Sequence, residues 1–382
     1  MLDSYVPFAR PSITDDEIDE AVDALRSGWL TTGPRVRAFE ERFATFIGAP
    51  FAVALSSCTA GLHLALLACG VEPGDEVVTT PLSFCATANS IIHAGGTPVF
   101  ADIERDTMNL SPPAALAAVG PRTRALLPVH FGGRPADVVS LRAIADGHGL
   151  ALVEDAAHCV DGAVGNARIG TTADATCFSF YSTKNLTTGE GGMVTTPHQE
   201  WAARIRTASL HGLSRDAWTR YDRRGTAQYD VLMAGFKHNM TDLHAAIGLR
   251  QLERLAAMQA RRLAIWERYD VGLEGLPIER PAPIPADVRH SRHLYTILID
   301  ETACGWTRDG LQQALADRGI GTSVHFRALH LHGYYAERFG LRRGMFPHAE
   351  HISDHTLSLP FSAAMTDSQV ERVVLTLAEL LS

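Results

Sequence analysis

Short apolar runs rich in β-branched residues alternate with amphipathic stretches through the first half of the chain. That is the pattern of strands and helices in turn, and so of an α/β unit built on a mainly parallel sheet. Thr14-Asp15-Asp16-Glu17 has the spacing of a capping box and opens a predicted helix that stops near Gly28. Pro34 suits the first turn of a second helix carrying Val36, Phe39 and Phe43. Strands are expected at Phe51–Leu55, Val77–Thr80, Pro98–Asp102, Ala125–Val129 and Ala151–Glu154, with helices at Thr59–Cys69, Phe84–Ala94, Pro113–Val119 and Val138–His148. Two further strands, Thr176–Phe180 and Met193–Thr196, flank a loop that contains Lys184.

From about Thr241 to Leu273 a stripe of Leu243, Ile247, Leu249, Leu252, Leu255, Leu263 and Trp266 predicts one long helix joining two units. Beyond the proline-rich stretch Pro277–Pro285 the pattern changes to a strand at His293–Ile299, a helix at Arg308–Arg318, a strand at Thr322–Phe326 and a closing helix at Thr366–Leu381. The expected division is a large ligand-binding α/β domain with an N-terminal arm over residues 1–250, then the linking helix and a smaller α+β domain over 251–382.

A length of 382 residues favours two domains over one continuous core, and 46% hydrophobic with 20% charged residues is ordinary for a soluble globular chain. The net charge of −9 argues against nucleic acid or an anionic membrane as partner. A phosphorylated ligand stays compatible with it, because helix N-termini bind phosphate locally. The six cysteines are scattered without a Cys-x-x-Cys pair and read as reduced core residues. The first residues lack a secretory pattern, and no apolar run nears the ~18 residues of a membrane span, so a cytoplasmic protein is expected. No metal site is expected, since His330-Leu-His332 and the His348/His351 pair lack convergent ligands.

Three segments carry candidate chemistry. In Cys177-Phe-Ser-Phe-Tyr-Ser-Thr-Lys184-Asn-Leu-Thr-Thr-Gly-Glu-Gly-Gly192 an apolar strand feeds a polar loop with one lysine among small residues. Partial desolvation there would lower the lysine's pKa, and a neutral amine forms a Schiff base; a solvated lysine beside a hairpin turn is the bland alternative. In Leu150-Ala-Leu-Val-Glu154-Asp155-Ala-Ala-His158 a buried strand ends in carboxylates. Ligands of open α/β sheets bind at such strand ends, where Asp155 falls, and a carboxylate there can pair with the pyridinium nitrogen of pyridoxal 5'-phosphate (PLP). Asp155 as a plain helix cap and His158 as a structural histidine are the alternatives. In Leu55-Ser56-Ser57-Cys58-Thr59-Ala60-Gly61 small and hydroxylated residues lead into a helix, which makes either an anion site or an ordinary cap. Ser57 and Thr59 are the candidate phosphate ligands, with Ser179 adding a hydroxyl from the strand before the lysine.

Together these segments resemble the DegT/StrS family of PLP-dependent sugar aminotransferases. The resemblance runs through SGWLTTGP at Ser27–Pro34, PGDEVV at Pro73–Val78, GGTPVFADI at Gly95–Ile103, LPVHFGG at Leu127–Gly133, EDAAH, the lysine loop, HNMTD at His238–Asp242 and SLPF at Ser358–Phe361. Phe8-Ala-Arg-Pro11, Gly319–Arg327 and Tyr334–Phe339 look most like the branch that makes UDP-4-amino-4-deoxy-L-arabinose. The resemblance implies PLP fold type I, an aspartate aminotransferase-like α/β fold. By it, Lys184 matches the Schiff-base lysine and Asp155 the pyridinium partner, while His158 and Phe84 match residues on the two faces of the cofactor ring. Ser57, Cys58, Thr59 and Ser179 match the phosphate cradle. Asn239 matches an asparagine that reaches the phosphate from the other subunit, which implies a homodimer with shared active sites. Thr31, Thr32, His325 and Arg327 lie in segments expected to face a nucleotide-sugar substrate, with L-glutamate as amino donor. Cys58 stands where the family commonly has Gly or Ala, and Lys184 where related dehydratases have His. A PLP-dependent dehydratase or epimerase on this fold and a non-catalytic PLP-binding regulator are the rival readings. A nicotinamide dehydrogenase is disfavoured, because no G-x-G-x-x-G follows the first strand.

Overall fold

A computed structural model describes residues 5–214 and 229–382. Two helices, α1 (Asp15–Ser27) and α2 (Pro34–Ile47), precede β1 (Phe51–Leu55). Helix and strand then alternate through α3 (Cys58–Ala68), β2 (Glu76–Thr79), α4 (Cys85–His93), β3 (Thr97–Phe100), α5 (Pro112–Ala118), β4 (Thr123–Leu127), α6 (Val138–His148) and β5 (Ala151–Asp155). A small ribbon, β6 (Ala163–Val164) and β7 (Ala167–Arg168), leads to β8 (Ala175–Ser179) and β9 (Gly192–Thr196), which bracket the Lys184 loop, and α7 (Gln199–Ser209) follows. Thr14 and Glu17 form the capping box of α1, and Pro34 occupies the first turn of α2.

Seven strands make one sheet in the order β1-β9-β8-β5-β4-β2-β3, in which only β9 runs against the others. Parallel strands need crossovers, and these place helices on both faces. The side-chain alternation follows: Val53, Leu55, Cys177 and Val194 point to a core shared with α3 and α7, while Ala52, Ala54, Phe178 and Met193 point to a core under α2. On that second face Phe43 of α2 meets Phe178 and Phe180 edge-on, with centroids 5.1 and 5.5 Å apart.

The long helix α8 (Asp242–Gly272) belongs to both halves of the chain. Its first turns pack on α1, α2 and the second core, and its Asp242 carboxylate accepts the Arg35 and Val36 N–H groups, capping α2 from across the sequence. Its last turns place Ile265, Trp266 and Tyr269 in a separate core. That core is completed by β10 (Ile278–Glu279), β12 (Thr296–Ile299), α10 (Arg308–Asp317), β13 (Thr356–Ser358) and α13 (Asp367–Leu381), while β11 (Val288–Arg289) joins the β6–β7 ribbon. The remaining helices are α9 (Glu301–Cys304), α11 (Gly333–Phe339) and α12 (Pro347–His355).

Two expected strands in this half differ. Thr322–Phe326 does not form a strand: only Ser323 pairs, with Ser358 across two backbone bonds of 3.1 and 2.8 Å, and the chain then leaves the sheet edge to wall a cavity. The strand expected from His293 begins at Thr296, because the N–H groups of His293 and Leu294 both go to the Gly132 carbonyl, at 3.0 and 3.1 Å. Among the described residues, no helix is long and apolar enough to cross a membrane.

Truncation of Phe43, which is fully buried in the aromatic cluster, should show how much of the stability this face carries. Phe43→Ala is expected to lose about 3–5 kcal/mol, the usual figure for a buried phenylalanine, read as a fall in the urea midpoint with little change in slope.

Candidate active site

The carboxyl ends of β1, β5 and β8 open on a cavity of about 660 Å³ that brings together Ser57, Cys58, Thr59, Asp155, Ser179 and Lys184. Each arrives by backbone geometry. Gly192 pairs with Leu55 on one side and Ser179 on the other, so β9 sits between the two hydroxyl-bearing segments. A Cβ at Gly192 would lie 2.4–2.6 Å from the backbone of Ser57 and Cys58, so only glycine lets the N-terminus of α3 settle against the strand.

At that N-terminus the Ser57 hydroxyl accepts from Ala60 N–H at 3.1 Å, and the Ser57 carbonyl takes Gly61 N–H at 3.2 Å. The N–H groups of Cys58 and Thr59 are those that no helical carbonyl can reach, and they face the cavity with the positive end of the helix dipole. This cradle fits a phosphate. The thiol of Cys58 turns the other way, towards the Cys177 carbonyl at 3.5 Å and Asp155 Oδ1 at 3.9 Å, and burial pushes its pKa well up. It leaves the helix N–H groups accessible.

Asp155 ends β5 with its backbone paired to the segment that follows β4, accepting His130 N–H and donating to the Pro128 carbonyl. Its buried carboxylate accepts Thr87 Oγ1–H at 2.8 Å on Oδ2 and Ala157 N–H at 3.1 Å on Oδ1. Burial raises its proton affinity, and those two donors with the nearby Lys184 charge act against that. In the Lys184 loop, Lys184 N–H bonds the Tyr181 carbonyl, Thr188 N–H the Phe180 carbonyl, and Phe180 N–H the Gly191 carbonyl. Burial brings the Lys184 amine down to about 8, against the opposing pull of Cys58 and Asp155.

His158 packs against His293 with centroids 4.4 Å apart and stacks on Phe326 at 6.0 Å. Gly132 N–H donates to its Nδ1 at 3.3 Å, which leaves the proton on Nε2, and burial holds the ring neutral. Phe84, more than half exposed, stands on the cavity wall 6.2 Å from Phe326. His325 lines the same cavity, hydrogen-bonded through Nδ1 to Ser358 Oγ at 2.9 Å, and burial lowers it to about 4.

Four of the expected residues lie elsewhere in the single chain. Thr31 and Thr32 bind the segment before α8: the Thr31 carbonyl takes Asp242 N–H, and Thr32 Oγ1 donates to the Met240 carbonyl while accepting Asn239 Nδ2–H at 2.7 Å. Asn239 also accepts from Lys237 Nζ. Arg327 turns out to the Leu331 carbonyl at 2.8 Å. Conversely, Ser83, Thr87, His293 and Phe326 border or support the cavity without having been singled out in the sequence. Ser83 and Thr87 gave little signal, because Ser83 precedes α4 and the pair meets Asp155 only in the folded chain. All six cysteines are free, and the described residues contain no cluster able to hold a metal.

The depressed amine has a thermodynamic signature. The folded state binds the Lys184 proton less tightly than the unfolded chain, so stability rises as pH climbs from about 8 towards the ordinary lysine range. Thermal melts of cofactor-free protein should show wild type gaining on Lys184→Met across that window. Parallel curves would contradict a shielded amine.

The DegT/DnrJ/EryC1/StrS aminotransferase family model matches residues 11–378. The spore coat polysaccharide biosynthesis protein SpsC of Bacillus subtilis (strain 168) is 49% identical over 371 residues, spanning 97% of this chain and 95% of that protein. Spr1654 from Streptococcus pneumoniae, solved in a PLP-form, superposes with a TM-score of 0.91 at 32% identity, covering 99% of this chain and 100% of that one. DesI, solved in the presence of its TDP-sugar product, superposes with a TM-score of 0.86 at 34% identity, covering 98% and 92%.

Proposed function

The chain belongs to the DegT/DnrJ/EryC1/StrS aminotransferase family and is a PLP-dependent sugar aminotransferase of fold type I, and from that premise we propose that it moves an amino group from L-glutamate to the keto carbon of a UDP- or TDP-linked 4-keto sugar. The observation that carries the reading is the convergence of Lys184, Asp155 and the α3 N-terminus on one cavity. The nucleotide is supported by the TDP-sugar product in the DesI structure and by the polysaccharide role of the SpsC relative.

Bound there, PLP supplies an electron sink for the carbanion left when a proton departs from the carbon bearing nitrogen. The chain's own residues do the rest. The Cys58 and Thr59 N–H groups and the Ser57 and Ser179 hydroxyls hold the phosphate, with Asn239 of a second subunit as a further donor. Asp155 would keep a proton on the ring nitrogen, and His158 and Phe84 would pack against the ring. Lys184, its amine neutral in a useful fraction near physiological pH, holds the cofactor covalently. With its amine free, Lys184 would take and return the proton at Nζ as general base and acid. His325 lines the substrate side as a neutral hydrogen-bonding ring, and Thr31, Thr32 and Arg327 are assigned to the nucleotide sugar across a homodimer interface. Free cysteines suit a reducing compartment, the cytoplasm.

Incubation with glutamate and a panel of UDP-, TDP- and GDP-linked keto sugars should release 2-oxoglutarate beyond one equivalent per protein chain with a 4-keto sugar and not with its 4-hydroxy counterpart. Sugar conversion without 2-oxoglutarate would point to a dehydratase or epimerase. Lys184→Ala should lower both half-reactions by about a hundred- to ten-thousand-fold or more, the usual weight of a positioned general acid–base; half-reactions within about tenfold of wild type would refute its role.

A further inference from the structure

Thr87 spends its hydroxyl proton in an unusual way for a helical threonine. Within α4, Ser90 takes the ordinary route and donates back to the Ala86 carbonyl at 2.7 Å. Thr87, fully buried one turn earlier, instead lies 2.8 Å from Asp155 Oδ2, and Ser83 Oγ lies 2.7 Å from Thr87 Oγ1. An ionised carboxylate can only accept. The single proton of Thr87 therefore goes to Asp155, and Ser83 must donate to Thr87. The direction of the chain Ser83→Thr87→Asp155 is fixed by that count.

We propose that Thr87, backed by Ser83, is a positioning residue that keeps Asp155 ionised and orients its carboxylate toward the cavity. The proposal rests on the reading of Asp155 as the partner of the cofactor's ring nitrogen. Every polar group in the chain is buried, so water does not compete for it. Both carboxylate oxygens are held, Oδ2 by Thr87 alone and Oδ1 by Ala157 N–H with the Cys58 thiol at 3.9 Å as a weaker second donor, and donors on different oxygens set the plane of the group. The titratable groups around Asp155 are Lys184 from the loop, His130 beyond β4, Cys58 of α3 and Cys177 of β8. None of them makes an ion-pair contact with Asp155 among the described residues. Burial favours the neutral acid, and the Thr87 hydrogen bond heads the effects opposing it. Without it, the proton shared between carboxylate and ring nitrogen would shift to the carboxylate, and the electron sink would weaken.

The test uses the PLP-loaded protein, with the cofactor isotope-labelled at its ring nitrogen. Nitrogen NMR then reports where the proton sits, and stopped-flow spectroscopy with glutamate reports the donor half-reaction. Thr87→Val keeps the shape and removes the hydroxyl. It should move the ring resonance at neutral pH toward that of unprotonated pyridine and slow the half-reaction by about 10–100-fold, the conversion of a lost hydrogen bond to a charged group. The concentration of glutamate giving half-maximal rate should change by no more than about twofold, since donor binding is untouched. Thr87→Ser should restore both readouts, and Ser83→Ala should shift both in the same direction by less, which keeps the proposal testable if the valine variant does not fold. Wild-type resonance and rate in Thr87→Val, or a slower rate with an unmoved resonance, overturns it. Asp155→Asn separates the two levels: if it too behaves as wild type, the assignment of Asp155 itself falls, whereas loss in Asp155→Asn with none in Thr87→Val condemns the relay alone.

Discussion

Housing a carboxylate and an amine in one water-poor cavity is the constraint around which this molecule is arranged. Desolvation works against both charges, lifting the proton affinity of Asp155 and lowering that of Lys184. Left alone, the pair would drift toward two neutral groups, a reactive amine beside a useless acid. The structure resolves this unevenly. Asp155 receives donors on both carboxylate oxygens, which oppose its neutralisation, whereas the Lys184 side chain receives no comparable partner among the described residues and its amine binds its proton less tightly. A doubly wound sheet suits that asymmetry, because strand ends supply fixed backbone donors on one side and an open rim on the other.

The same economy governs the helix start proposed to hold a phosphate. It is the N-terminus of α3 brought against a strand, and one glycine makes the approach possible. Replacing any cradle side chain would trim it, but filling the space at Gly192 would move the helix itself. Local chemistry and global packing are therefore one problem at this point of the fold.

What was readable in the sequence was local. Strand alternation, the Thr14 capping box, the proline of α2 and the loop around Lys184 all announce themselves within a few residues, and the elements expected in the first half of the chain have counterparts within a residue or two. What was not readable depends on partners far along the chain. The Asp242 carboxylate caps a helix that begins more than two hundred residues earlier, and Asp102 does the same for α12, accepting the N–H groups of His348 and Ala349. α12 itself buries Glu350 against His330 and shows no apolar stripe, so periodicity had nothing to find. Thr322–Phe326 has strand composition, yet only Ser323 finds a backbone partner, and Ser323 to Phe326 line the cavity instead. Ser83 and Thr87 acquire meaning only once α4 is laid beside β5.

The loop that carries Lys184 is fastened on its far side as firmly as a strand. Asn185 bonds His293 at 3.0 Å and the Ser291 carbonyl at 2.5 Å, and Thr187 N–H reaches Gln251 of α8, whose amide in turn grips Ser12 and Glu17 near the start of the chain. The lysine thus hangs from an anchored pivot, and the only freedom it needs is that of its own four-carbon arm. In the proposed reaction the reach of its amine is therefore set by side-chain length about a tethered Cα, and not by loop motion. A shorter amine at this position could not be rescued by the backbone leaning in.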